Sequence, residues 1–136
     1  MDIDRARLWW VGPLTVLAAI AAVLVVRVAA FATLDLSPDY PPLTWQGLSI
    51  FTAVLVSAGV LVFVFVARSS PTPIRTYRRI ALVALLLSFI PDLFLPGSGP
   101  GATWPSSIVL MVMHVAAWLP TVFILTNSSL LTRSRS

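Results

Sequence analysis

Residues 47–67 read GLSIFTAVLVSAGVLVFVFVA, without one ionisable side chain. About 20 apolar residues span the hydrocarbon core of a bilayer at 1.5 Å per residue. The run is too long for a barrel strand and lacks strict alternation. Its Ser49, Ala53 and Ser57 form a small-xxx-small ladder, which lets helices approach closely, either within the chain or between subunits.

Three similar blocks flank it, from about Leu8 to Thr33, Tyr77 to Leu95 and Ser106 to Thr126. Of 136 residues, 58% are hydrophobic and only 10% charged, with a mean hydropathy of +0.95. A soluble domain carries about 25% charged residues, so lipid is expected to be the main solvent. The spacing predicts an all-α membrane protein: four transmembrane helices in one up-down bundle covering residues 1–136. The connections 34–46, 68–76 and 96–105 are rich in proline or glycine, which end helices. The tail TRSRS reads as frayed. The first block has a basic lead-in and an Ala30-Phe31-Ala32 run resembling a cleavage site. Its apolar stretch before Arg27 exceeds a usual signal-peptide core, so a retained helix is expected.

Every cation is Arg, Lys and Glu are absent, and the net charge is +4. Arg5, Arg7, Arg68, Arg75, Arg78, Arg79, Arg133 and Arg135 fall on one side of a four-span chain. The opposite loops hold only Asp35 and Asp39. The positive-inside rule then places both termini in the cytoplasm (N-in/C-in), with the chain in the inner (plasma) membrane. The Asn127-Ser128-Ser129 sequon is discarded because it falls on the cytoplasmic side. Trp9, Trp10, Trp45, Tyr77 and Trp104 are expected at the interfaces. Arg at block ends argues against a nucleic-acid patch and for headgroup contact. Arg-only, Ala/Val/Leu-rich usage fits a GC-rich bacterial genome. The absence of Cys excludes disulfides, thiolate chemistry and Cys-ligated metals.

Three ionisable residues interrupt the apolar blocks: Arg27, Asp92 and His114. Such groups default to a functional hypothesis. Arg27 either snorkels outward or pairs with Asp35 or Asp39, or it faces the interior and holds Asp92, or it contacts a ligand directly. Asp92 follows Pro91. If the third helix stopped at Ile90 it would be too short to cross, so it is expected to continue to Leu95. Asp92 is then an interfacial carboxylate, or a buried anion paired with Arg27 or His114, with Ser88 one turn away as a donor. His114, the only His, shares a stripe with Ser107, Met111, Trp118 and Thr121. It reads as a hydrogen-bonded interhelical residue or as a titrating, ligand-contacting one. One His without Glu or Cys makes no ordinary zinc site. No nucleophile-base motif, metal spacing or phosphate loop is visible, so no catalytic residue, metal or cofactor is expected.

The stretch from Ala81 to Thr126, with SFIPDLFLP (88–96), a Gly-rich turn and VLMVMHVAAWLP (109–120), resembles a family of uncharacterised small bacterial four-span membrane proteins, a domain of unknown function. The similar features are Pro91-Asp92 late in the third helix and Met113-His114 in the fourth. The resemblance extends loosely over the whole chain through length and span count. It implies no activity, and it points to Asp92 and His114 as site residues.

The function expected first is a non-catalytic bundle that binds an apolar or amphipathic ligand, or a partner, through Arg27, Asp92, His114 and Ser88. The bilayer is its first partner, with a homo-oligomer or a membrane protein as further ones. Other readings stay open. In a small transporter subunit Asp92 would replace the membrane-embedded Glu of such proteins. In a membrane enzyme acting on a lipid-like substrate His114 would be the acid/base and Asp92 its orienter. A scaffold would use the ladder of the second helix.

Overall fold

A computed structural model describes residues 4–127, except the side chain of Arg5. Four α-helices follow one another: α1 (Arg5–Thr33), α2 (Trp45–Ser69), α3 (Pro73–Phe94) and α4 (Trp104–Leu125). A 3-10 turn covers Pro41–Leu43 before α2. No strand occurs among the described residues. Arg133, Arg135, Ser128 and Ser129, used above for topology and for the sequon, lie outside the described residues, as does the TRSRS tail.

Helix starts are set by side-chain oxygens that satisfy otherwise unpaired first-turn amides. Asp4 Oδ1 accepts from Ala6 N at 3.0 Å, Thr44 Oγ1 from Gly47 N at 3.0 Å, and Thr103 Oγ1 from Ser106 N at 3.3 Å. These caps explain why α2 and α4 begin about two residues earlier than their apolar runs. α3 continues through Pro91 to Phe94, as its length requirement suggested. It ends where Gly97 takes a φ of 81° and its amide turns back to the carbonyl of Ala102 at 2.8 Å.

α1, α2 and α4 are each long and apolar enough to cross a membrane. α3 is not in that group: Arg75, Arg78 and Arg79 occupy its first two turns and Asp92 its last. The outward faces are nonetheless apolar on all four helices. Leu17, Val25, Phe51, Leu61, Phe65, Leu86, Phe94, Val112 and Phe123 are all exposed. Soluble monomers rarely expose such continuous apolar surface, which marks a membrane-embedded protein.

α1 packs on α4 and α2, and α3 packs on the same two helices from the other side. The interior falls into two apolar layers. One holds Val11, Phe63, Val66, Tyr77, Ala81, Val122 and Leu125. It lies at the arginine end, where α1 and α3 begin and α2 and α4 finish. The other holds Val23, Tyr40, Leu43, Leu48, Ala102, Val109 and Met113 and lies at the loop end, beneath the connections 34–44 and 95–103. Trp9, Trp10, Trp45 and Trp104 are exposed near the helix ends, where interfacial rings settle. Tyr77, expected with them, turns inward instead. It is 2% exposed and meets the edge of Phe63 with centroids 5.1 Å apart, because it lies on the inner stripe Pro73, Tyr77, Ala81 of α3.

Candidate functional site

His114 stands near the middle of α4, ~15 Å from its start and ~17 Å from its end. α3 runs alongside, and its inner stripe brings Asp92 opposite. His114 Nδ1 and Asp92 Oδ2 are 2.9 Å apart. The contact sets the last turn of α3 against the middle of α4. Asp92 is buried, while the His114 side chain keeps 29% of its exposure. Neither atom has another hydrogen-bond partner among the described residues. A buried polar group without a partner costs ~1–3 kcal/mol, so each group holds the other in place. The ring of Phe89 stands 6.5 Å from the imidazole, centroid to centroid.

Tyr40, in the 34–44 connection, belongs to the loop-end layer with Met113, the residue before His114, and the sequence reading did not single it out. Burial first, and the Asp92 carboxylate second, raise the ionisation of its phenol above the ordinary value. Gly101 packs directly against Tyr40. Its φ is 79°, and a Cβ there would stand 2.9 Å from Tyr40 Cβ and 3.1 Å from Ser37 Cβ. The glycine-rich 95–103 turn is thus pressed onto the 34–44 connection above the pair. Ser107, two turns from His114 on the same side of α4, is fully buried, and its Oγ has no hydrogen-bond partner.

The other two candidates do not join the pair. Ser88 Oγ donates to the carbonyl of Leu85 at 2.6 Å, not to Asp92. A serine inside a helix readily satisfies itself on the preceding turn. Arg27 is buried but makes no ion pair with Asp92, Asp35 or Asp39 among the described residues. Its Nε donates to the carbonyl of Leu43 at 2.7 Å, and its guanidinium lies over Trp45 and Phe31 at 4.1 and 4.3 Å. Cation–π faces and a carbonyl replace the expected carboxylate. The contact ties α1 to the turn before α2. Sequence periodicity gives no signal for a backbone acceptor in a connection.

A carboxylate and an imidazole can share or exchange a proton and can hydrogen-bond a polar head group. Among the described residues no cluster of His, Cys, Asp and Glu could hold a metal ion. Residues 3–129 match the family model of DUF6069, a family of unknown function. No curated protein and no solved structure matches the chain.

Proposed function

We propose a function for this chain, which belongs to the DUF6069 family, from the geometry of its paired Asp and His. It is a non-catalytic four-span bundle of the inner membrane, with both termini cytoplasmic, that binds an amphipathic molecule. The ligand carries a hydrogen-bonding head and an apolar body. The head meets the partly exposed edge of His114, and the body lies among the outward apolar faces of α3 and α4. The observation that carries this reading is the 2.9 Å contact between two polar groups that find no other partner in an apolar interior. Ionisable groups within membrane-spanning helices are costly and mark ligand or proton pathways. The fourth crossing rests on α3's outward face, where Ile80, Val83, Leu86, Leu87, Ile90 and Phe94 are exposed. The arginines of its first turns can snorkel to the headgroups.

His114 is the only histidine, so ¹⁵N-histidine labelling in nanodiscs reports this residue alone. Titration with dodecylamine and dodecanol is expected to shift its ring nitrogens saturably, with the shift abolished by Asp92→Asn. Indifference of the ring to both probes removes the ligand-binding reading. Orientation has its own check, because the chain has no cysteine. A single cysteine at Pro71 should react with an impermeant maleimide only from the cytoplasmic side.

A second reading is favoured by the same distance: His114 as general acid/base oriented by Asp92. Ser88, the serine expected beside Asp92, offers it no nucleophile, since it is turned to its own helix. Substrate turnover abolished by both Asp92→Asn and His114→Gln would select it.

A further inference from the structure

At the opposite end of the molecule, Pro71, Thr72, Pro73, Ile74, Arg75, Arg78, Arg79 and Leu82 line an open groove of about 560 Å³. Three of these residues are cationic. Arg78 is tied back, its Nε and Nη2 donating to Thr126 Oγ1 at 3.2 and 3.1 Å. Arg75 and Arg79 are exposed and make no ion pair or hydrogen bond with a described residue. No aspartate lies in the 70–72 connection or the first two turns of α3, so no neighbouring carboxylate in that segment offsets the charge. Below the arginines the wall turns apolar at Leu82 and continues along α3 as exposed Val83, Leu86 and Leu87. Cationic groups at one end of an apolar track match a phosphate on acyl chains. The guanidinium fork suits phosphate oxygens in particular.

We propose that this groove is a binding site for an anionic phospholipid of the leaflet at the arginine end. Arg75 and Arg79 hold the phosphate, Arg78 is fixed behind them by Thr126, and an acyl chain runs down the outer face of α3. The site rests on α3 lying in the bilayer, and it is independent of the Asp92–His114 pair.

The test is native mass spectrometry of the full chain in a neutral detergent, with dioleoylphosphatidylglycerol against dioleoylphosphatidylcholine as probes. The wild type is expected to retain the anionic lipid preferentially. Arg75→Gln/Arg79→Gln is expected to bind it about tenfold to thirtyfold more weakly, since each surface cation contributes ~1 kcal/mol toward an anionic lipid. Arg68→Gln, which changes another arginine at the same end, should leave binding unchanged. Leu82→Trp, which fills the groove without altering charge, should weaken binding as well. Equal loss in Arg68→Gln would show a diffuse charge effect and overturn the proposal. Wild-type binding by Leu82→Trp would place the lipid elsewhere and overturn it too. Full displacement by glycerol phosphate would show a free-phosphate site instead of a lipid site. None of these outcomes touches the ¹⁵N shift of His114, so the two proposals fail separately.

Discussion

At the arginine end of the bundle, buried polar atoms reach a partner. Trp118 Nε1 donates to the carbonyl of Ala81 at 2.9 Å, Thr121 Oγ1 to Ala117 at 2.7 Å, and Thr15 Oγ1 to Val11 at 2.7 Å. From mid-height toward the loop end the pattern breaks. Ser107 Oγ is fully buried without a hydrogen-bond partner among the described residues, and Asp92 Oδ2 and His114 Nδ1 have only each other at 2.9 Å. Native interiors leave few such atoms, and each calls for a reason. The first region is packed for stability; in the second, Arg27 Nε and Ser106 Oγ are satisfied by the carbonyls of Leu43 and Gly101, so the polar capacity left over is confined to Ser107 and the Asp92–His114 pair.

Substitutions can break or sharpen that contrast. Phe63→Ala should cost the most, ~3–4 kcal/mol, because it empties the centre of the arginine-end layer next to Tyr77. Reversible unfolding in mixed micelles would read it, with no change in the His114 resonance. His114→Ala should cost ~2–3 kcal/mol by stranding Asp92. The double change with Asp92→Leu should recover most of that loss. Additive losses would show that the two groups do not support each other. Gly101→Ala should cost ~1–3 kcal/mol, since it combines a left-handed φ with a Cβ driven into Tyr40. It should also disturb the His114 signal, which Phe63→Ala should leave unchanged.

The smallest effect is a titration. In a Tyr77→Phe background only Tyr40 remains, and its phenolate absorbance should rise above the ordinary tyrosine range. Asp92→Asn should move the midpoint down only part of the way, because burial is the larger cause. The sign for stability follows from a raised folded-state value. Tyr40's contribution is complete below the ordinary tyrosine value and fades as pH climbs through the folded one. An unshifted midpoint in Asp92→Asn would separate Tyr40 from the pair.

Much of the architecture was legible in the sequence because lipid imposes long apolar runs, and residues 47–67 could be little else. The helix starts came earlier than the apolar runs, where Asp4, Thr44 and Thr103 cap α1, α2 and α4 and where α3 begins at Pro73, four residues before Tyr77, without a side-chain cap. The meeting of Asp92 and His114 was one alternative among several, and spacing within a helix does not state which faces oppose. Tyr40 was invisible because its contact comes from a connection. Arg27 settled on a carbonyl and two rings for the same reason. Tyr77 shows the limit of reading amphipathic residues by position alone, since helical phase overrode its nearness to the boundary.

The four-span reading gives α3 a further consequence. Its uncharged stretch from Ile80 to Pro91 rises only ~18 Å, whereas a bilayer's hydrocarbon layer is about 30 Å thick. Lipids along that flank must shorten or tilt to meet it, while those beside α1 and α2 need not. The protein would then carry a lopsided thickness preference, drawing it toward thinner patches of membrane and giving its neighbours one pinched side on which to gather.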